Sequence, residues 1–96
     1  MAQVKAISGL VTDVTGEPVI GASVVEVGTT NGVITDLNGK FSLKVAPNSQ
    51  FLVSYIGYKQ QTIKVGSEST YNIVLKEDAE VLDEVVLSYY YSNIKY

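Results

Sequence analysis

Between Met1 and Asn72 no run of more than eight residues is free of glycine, proline or asparagine. An average globular helix needs about eleven or twelve uninterrupted residues and a strand only about five or six, so this punctuation favours short strands. The segments between the breaks are rich in valine, isoleucine, threonine and tyrosine, side chains that suit a pleated surface. Seven strands are expected, over residues 4–14, 22–27, 33–35, 41–45, 51–56, 58–65 and 71–76. In the first, Ile7, Gly9 and Val11 share one side of the pleat, and Ser8, Leu10 and Thr12 the other. Thr15, Gly16, Glu17 and Pro18 form a turn, which Val19 and Ile20 close as a short bridge. Asp36, Leu37, Asn38 and Gly39 are read as the turn of a hairpin joining residues 33–35 to residues 41–45. Ile63 and Val65 alternate with Thr62 and Lys64, and Tyr71, Ile73 and Leu75 alternate with Asn72, Val74 and Lys76, which implies one buried and one wet face on each strand. Short strands with a turn roughly every ten residues are the pattern of an all-β, two-sheet sandwich.

Charge divides the chain. Residues 1–76 hold six lysines against Asp13, Glu17, Glu26, Asp36 and Glu68, a net charge of +1. Residues 77–96 hold Glu77, Asp78, Glu80, Asp83 and Glu84 against Lys95 alone, a net charge of −4. Five acids within eight residues repel one another and resist packing. The expected organisation is a sandwich over residues 1–76, an acidic linker over 77–84, and a strand or extended tail over 85–96.

At 96 residues the chain has room for one small core. It contains no cysteine and no histidine, which removes thiol nucleophiles, imidazole bases, disulfides and the usual zinc ligands. The expectation is a protein without enzymatic activity, metal or cofactor. Seven lysines, no arginine and a net charge of −3 argue against a nucleic-acid partner. No apolar run is long enough to span a bilayer as a helix or to act as a signal peptide, so no direct membrane insertion by this chain is expected.

The polar and aromatic candidates each have a plain structural reading. Asp36, Asn38 and Gly39 resemble the start of a calcium loop, but the twelfth residue from Asp36 is Pro47 where an EF-hand needs a glutamate. Asp36 and Asn38 suit a turn better, through bonds to nearby backbone N–H groups. Asp13 and Glu17 flank a tight turn, as an acid/base pair would, although exposed turn acids are ordinarily just solvated. Ser23, Ser42 and Ser54 have no histidine to activate them. Tyr55, Tyr58 and Tyr71 are either core and rim residues or an aromatic platform for sugars or bases. Tyr89, Tyr90, Tyr91 and Tyr96 are available to a partner or lie in a disordered tail. The run Val81, Leu82, Asp83, Glu84, Val85, Val86 and Leu87 is either an eighth strand or a segment offered to a partner's sheet edge by β-augmentation.

The residues Ile7, Ser8, Gly9, Val11, Thr12 and Asp13, then Gly16, Glu17, Pro18, Ile20, Gly21, Ala22 and Val24, resemble the opening of the carboxypeptidase-regulatory-like domain. Gly28, Thr29, Thr30, Gly32, Thr35, Asp36, Gly39 and Phe41, followed by Val53, Ser54, Tyr55, Ile56, Gly57 and Tyr58, continue the resemblance, which extends over residues 4–86. Within that family, Leu75, Lys76, Glu77 and Asp78, then Leu82, Asp83, Glu84, Val85 and Val86, resemble the N-terminal extension of SusC-like TonB-dependent transporters of Bacteroidetes. After Leu87 the chain departs from the family's usual continuation, with Ser88, Tyr89, Tyr90, Tyr91, Ser92 and Asn93.

The resemblance implies a transthyretin-like or Ig-like, seven-stranded Greek-key sandwich on the periplasmic side of the outer membrane, with no peptidase activity. It implies a nutrient transporter for glycans or peptides, with an outer-membrane barrel and a SusD-like lipoprotein as associates. Asp83, Glu84, Val85, Val86 and Leu87 match the start of a TonB box, the short strand taken up by the C-terminal domain of a TonB-type energy transducer. Alternative readings are a structural or adhesion sandwich that self-associates through its C-terminal strand, and a carbohydrate-binding module using the tyrosines.

Overall fold

The computed structural model describes residues 3–78. Seven strands follow one another without a helix among the described residues: β1 (Lys5–Asp13), β2 (Ser23–Glu26), β3 (Gly32–Ile34), β4 (Lys40–Val45), β5 (Gln50–Ser54), β6 (Gln61–Lys64) and β7 (Thr70–Leu75). They form two sheets, one ordered β4-β1-β7 and the other β3-β2-β5-β6. Strand β1 is central to the first, antiparallel to β4 and parallel to β7. Only β2–β3 and β5–β6 are hairpins; the other four connections pass between the sheets, giving the expected Greek-key sandwich.

Alternation along each strand produces the core. Ile7 and Val11 from β1, Phe41, Leu43 and Val45 from β4, and Tyr71, Ile73 and Leu75 from β7 point inward. From the second sheet come Val24, Phe51 and Val53, with Val19, Ala22 and Val65 added by the connections. The rings of Phe41 and Phe51 lie 5.9 Å apart, and Tyr71 meets Phe51 edge-on at 5.3 Å. Such tilted and T-shaped pairs set the positive edge of one ring against the negative face of the next. The cluster leaves no room at Gly9, where a Cβ would fall 2.5 Å from both the Phe41 ring and the Tyr71 carbonyl oxygen.

Two buried polar side chains tie the connections to the core. The Thr35 hydroxyl donates to the Val19 carbonyl at 2.6 Å and accepts from the Ala22 N–H at 2.9 Å, securing the segment that leads into β2. At the opposite end of β2 the Glu26 carboxylate accepts from Asn31 Nδ2 at 2.9 Å and from the Ala46 N–H at 3.0 Å. Asn31 Nδ2 also donates to the Lys44 carbonyl at 2.6 Å, so this end of the two sheets is bridged through one carboxylate.

One expected hairpin is absent. Residues 36–39 do form a tight turn, closed by the Gly39 N–H on the Asp36 carbonyl (2.9 Å) and the Asp36 N–H on the Lys40 carbonyl (3.0 Å). The chain on either side then diverges, β3 pairing with β2 and β4 with β1. The turn residues behave as expected, but the flanking strands find better partners in opposite sheets. The turn after β1 is closed by a Thr12–Pro18 bridge, with the Asp13 N–H on the Glu17 carbonyl and the Val19 N–H on the Val11 carbonyl, each at 2.9 Å, so Val19 takes part as expected and Ile20 does not.

Candidate functional site

Four loops gather at one end of the sandwich. The turn after β1 is held there by the Thr12–Pro18 bridge. The turn over residues 36–39 is attached by the Val11 N–H on the Gly39 carbonyl at 2.8 Å, and Gly39, at φ 75°, lies against Pro18 where a side chain would collide. The β5–β6 connection and the chain leaving β7 complete the set.

The β5–β6 connection begins with a turn in which the Tyr58 N–H bonds the Tyr55 carbonyl at 3.0 Å. Gly57 has φ 87°, the left-handed conformation that the third residue of a type II turn requires. Ile56, at the outward corner, is 88% exposed. The chain then runs antiparallel to the continuation of β7. The Lys59 N–H bonds the Lys76 carbonyl at 2.9 Å, Tyr58 bridges Glu77, and the Asp78 N–H bonds the Gly57 carbonyl at 3.0 Å. Gln61 Nε2 adds a bond to the Val74 carbonyl at 2.5 Å. The described chain therefore continues in a ladder two residues past Lys76.

Beside this ladder is a hollow of about 730 Å³, open to solvent, whose walls include Ser23, Ser54, Tyr55, Ile56, Tyr58 and Asp78. Ser23 and Ser54 face each other across the β2–β5 pair. The Tyr55 and Tyr58 rings are 5.9 Å apart and inclined at 47°. Tyr71 is elsewhere: it is buried, its hydroxyl donates to the Glu68 carbonyl at 2.8 Å and accepts from the Gly66 N–H at 3.2 Å, and its ring packs on Phe51. The three-tyrosine platform is thus reduced to a tilted pair.

The carboxylate candidates are turn residues. Asp13 Oδ1 accepts from the Thr15 hydroxyl at 2.6 Å and from the N–H groups of Thr15 and Glu17 at 2.9 and 3.0 Å. The Thr15 hydroxyl, ahead of the backbone donors, holds the Asp13 carboxyl below its ordinary value. It is the backbone of Glu17, rather than its carboxylate, that Asp13 engages. Asp36 Oδ1 accepts from the Lys40 and Asn38 N–H groups, each at 2.9 Å, and those bonds lower its pKa, Lys40's the most. Each aspartate fixes a loop that way, and among the described residues no three acids, histidines or cysteines gather as metal ligands would. Ser42 stands exposed on β4 opposite Ser8, while Ser23 and Ser54 belong to the hollow.

Asp83, Glu84, Val85, Val86 and Leu87, and the tyrosines at 89, 90, 91 and 96, lie outside the described residues. Sequence reasoning missed that Gly57, Tyr58 and Lys59 form a strap for the chain leaving β7. Its visible signals were the Tyr55, Ile56, Gly57, Tyr58 turn and an isoleucine at its corner.

A family model for the CarboxypepD_reg-like domain matches residues 7–87. The TonB-dependent receptor SusC of Bacteroides thetaiotaomicron is 49% identical over 86 residues, covering 90% of this chain and 8% of the receptor. A TonB-dependent receptor of Formosa agariphila is 37% identical over 82 residues, covering 84% of this chain and 8% of that protein. The chain therefore spans less than a tenth of the length of these relatives. A chain in the crystal structure of a type II cohesin–X-dockerin complex from Acetivibrio cellulolyticus superposes with a TM-score of 0.60 and 24% identity, covering 76% of this chain and 58% of that one, a likeness of fold.

Proposed function

The chain belongs to the CarboxypepD_reg-like domain family, and on that premise we propose that it is the non-enzymatic, periplasmic N-terminal accessory domain of a SusC-like TonB-dependent nutrient transporter. In this role residues 83–87 are a strand offered to the C-terminal domain of a TonB-type energy transducer, with a barrel and a SusD-like lipoprotein as the larger assembly and a glycan or peptide as cargo. The observation that carries the reading is the 49% identity to the SusC receptor over 90% of the chain.

The geometry supports it through backbone pairing. Along residues 75–78 the chain leaving β7 is flanked by the end of β1, where Asp13 pairs with Leu75, and by the strap of residues 57–59. Among the described residues the last pairings of this ladder are Leu75 with Asp13 on one side and Asp78 with Gly57 on the other. In β-augmentation the N–H and C=O groups of an extended segment are satisfied by the edge of a partner's sheet. Five residues past Asp78, the sequence Asp83, Glu84, Val85, Val86, Leu87 has the β-branched character that a β-augmentation partner reads.

The test is to titrate the full chain with the transducer's C-terminal domain and to repeat the titration with Val85→Pro. Proline removes an N–H and obstructs an extended ladder, so binding is expected to fall at least tenfold while the thermal midpoint of the sandwich stays unchanged. Unchanged binding by the variant refutes strand pairing at Val85. Unfolding of the body by the same substitution makes the segment a core strand instead.

A further inference from the structure

The hollow beside the exit ladder combines hydroxyls with aromatic rings. Strand alternation turns Val24, Phe51 and Val53 into the core, so Ser23 and Ser54 face outward, paired across β2 and β5. Cross-strand partners of this kind hold their Cβ atoms about 4.5–5.5 Å apart, and among the described residues neither serine hydroxyl is engaged by another group. Tyr58 packs half-buried against the core, while Tyr55 is 37% exposed. Their turn is fixed to the chain leaving β7 by the Lys59–Lys76 and Asp78–Gly57 backbone bonds. Gly21 leaves the space beside Tyr55 unfilled, since even a Cβ there would reach only to 4.0 Å from the ring. Gln60 adds an amide to the lining, in which Asp78 is the one charged residue among those described.

We propose that this hollow binds a pyranose ring of a neutral oligosaccharide. A pyranose has a face of C–H groups, whose positive hydrogens suit the negative face of a tyrosine ring. It also has a rim of hydroxyls that both donate and accept, as serine hydroxyls and a glutamine amide do. Aromatic surface beside a few convergent polar groups is the usual make-up of a small-molecule site, and 730 Å³ lies within the span of about 300–1,000 Å³ that such sites occupy. Because backbone bonds already fix the tyrosine turn, little ordering has to accompany binding. Other ligand chemistries use less of what is present. No lysine lines the hollow to meet an anion. An ammonium group would use the rings and the carboxylate and leave Ser23, Ser54 and Gln60 idle. A polyproline segment would stack on the rings, but without N–H groups it has nothing to donate to the hydroxyls and the amide oxygen. The site belongs to the sandwich itself and does not depend on residues 83–87 docking a transducer.

Titration of the isotopically labelled 96-residue chain with maltotriose, cellotriose and mannotriose, followed by amide and ring-proton chemical shifts, tests the site. At least one of these sugars is expected to shift Ser23, Ser54, Tyr55, Tyr58 and Gln60 saturably, with the Ile7 and Val11 methyl signals unmoved as the control for folding. Tyr55→Ala removes an exposed stacking surface and should weaken binding about tenfold or more. Tyr55→Phe, which keeps the ring, should retain it. Ser54→Ala, outside the core, should weaken it by roughly two- to tenfold.

No saturable shift with any of the three sugars, or shifts centred away from the hollow, would overturn the proposal. So would sugar binding indifferent to both Tyr55→Ala and Ser54→Ala. A saturable response of the same residues to tetramethylammonium or to a decaproline peptide, with none to the sugars, overturns it in favour of a cation or a polyproline ligand. Hollow signals that move on diluting the chain alone, again with no response to sugar, overturn it in favour of a second copy.

Discussion

Gly9→Ala is the sharpest probe of the packing in the middle of the sandwich. Gly9 pairs with Phe41 on one side and Tyr71 on the other, and the added methyl would lie 2.5 Å from Phe41 Cε1, 2.6 Å from Phe41 Cζ and 2.5 Å from the Tyr71 carbonyl oxygen. Retreat of the Phe41 ring is limited by Phe51 at 5.9 Å, and the Tyr71 carbonyl belongs to the β1–β7 ladder. Overpacking of this kind costs about 1–3 kcal/mol, and two sub-contact approaches place the site at the upper end. Relief of glycine's intrinsic penalty in a strand returns about 0.5–1 kcal/mol. The net loss is therefore about 2 kcal/mol, a fall in Tm of about 8–16 °C for a domain of this size.

Thermal unfolding of the full chain followed by circular dichroism measures it, and a double-mutant cycle with Phe41→Leu divides the loss between ring and carbonyl. The cost of Gly9→Ala should shrink by at least about 0.5 kcal/mol when Phe41→Leu is already in place. An unchanged or raised Tm would refute the close-approach argument. An equal loss in both backgrounds would remove Phe41 from it.

Thr35→Val strips the Ala22 N–H and the Val19 carbonyl of their partner in a buried site and should cost about 1–3 kcal/mol, most of it restored by Thr35→Ser, as measured by urea unfolding. Glu26, held below its usual pKa chiefly by the Asn31 side chain and then by the Ala46 N–H, joins Asp13 and Asp36 as carboxylates with lowered values. Groups depressed in the folded state bind fewer protons there than in the unfolded chain, so their stabilisation is complete above the ordinary carboxylate range and is lost as pH falls through it. Unfolding free energy should thus be level from about pH 7 to 5 and decline below, with a shallower decline in the Asp13→Asn, Asp36→Asn double variant; an identical slope would show that these turns do not govern acid stability.

The seven strands were legible because period-two alternation and turn chemistry are local. Tyr71, Ile73 and Leu75 share a face for the same reason that Phe41, Leu43 and Val45 do, and Asp36 builds the same Asx-type turn whatever the flanking strands do. The false hairpin at residues 36–39 shows where locality ends. A turn closed between Asp36 and Lys40 is compatible with paired or diverging strands, and the choice was made by β2 and β1, which are distant in sequence. The tyrosines show it as well, since a ring with a polar tip suits either a core or a rim. Tyr71 is internal because its ring packs against Phe51 and the Glu68 carbonyl accepts its hydroxyl, whereas Tyr55 and Tyr58 begin and end a turn at an open end.

By itself the sequence determined an all-β sandwich with a neutral body, an acidic exit and no histidine or cysteine chemistry, because composition, period and turn residues act over a few neighbouring positions. Only the tertiary structure decided that Gly57, Tyr58 and Lys59 strap the chain leaving β7, and that a hollow lined by Ser23, Ser54, Tyr55 and Tyr58 opens beside that ladder. Those features arise from pairing between segments about twenty residues apart and from pairing of β1 with β7 across some sixty, and no local pattern encodes which backbone will supply a strand's missing hydrogen bonds.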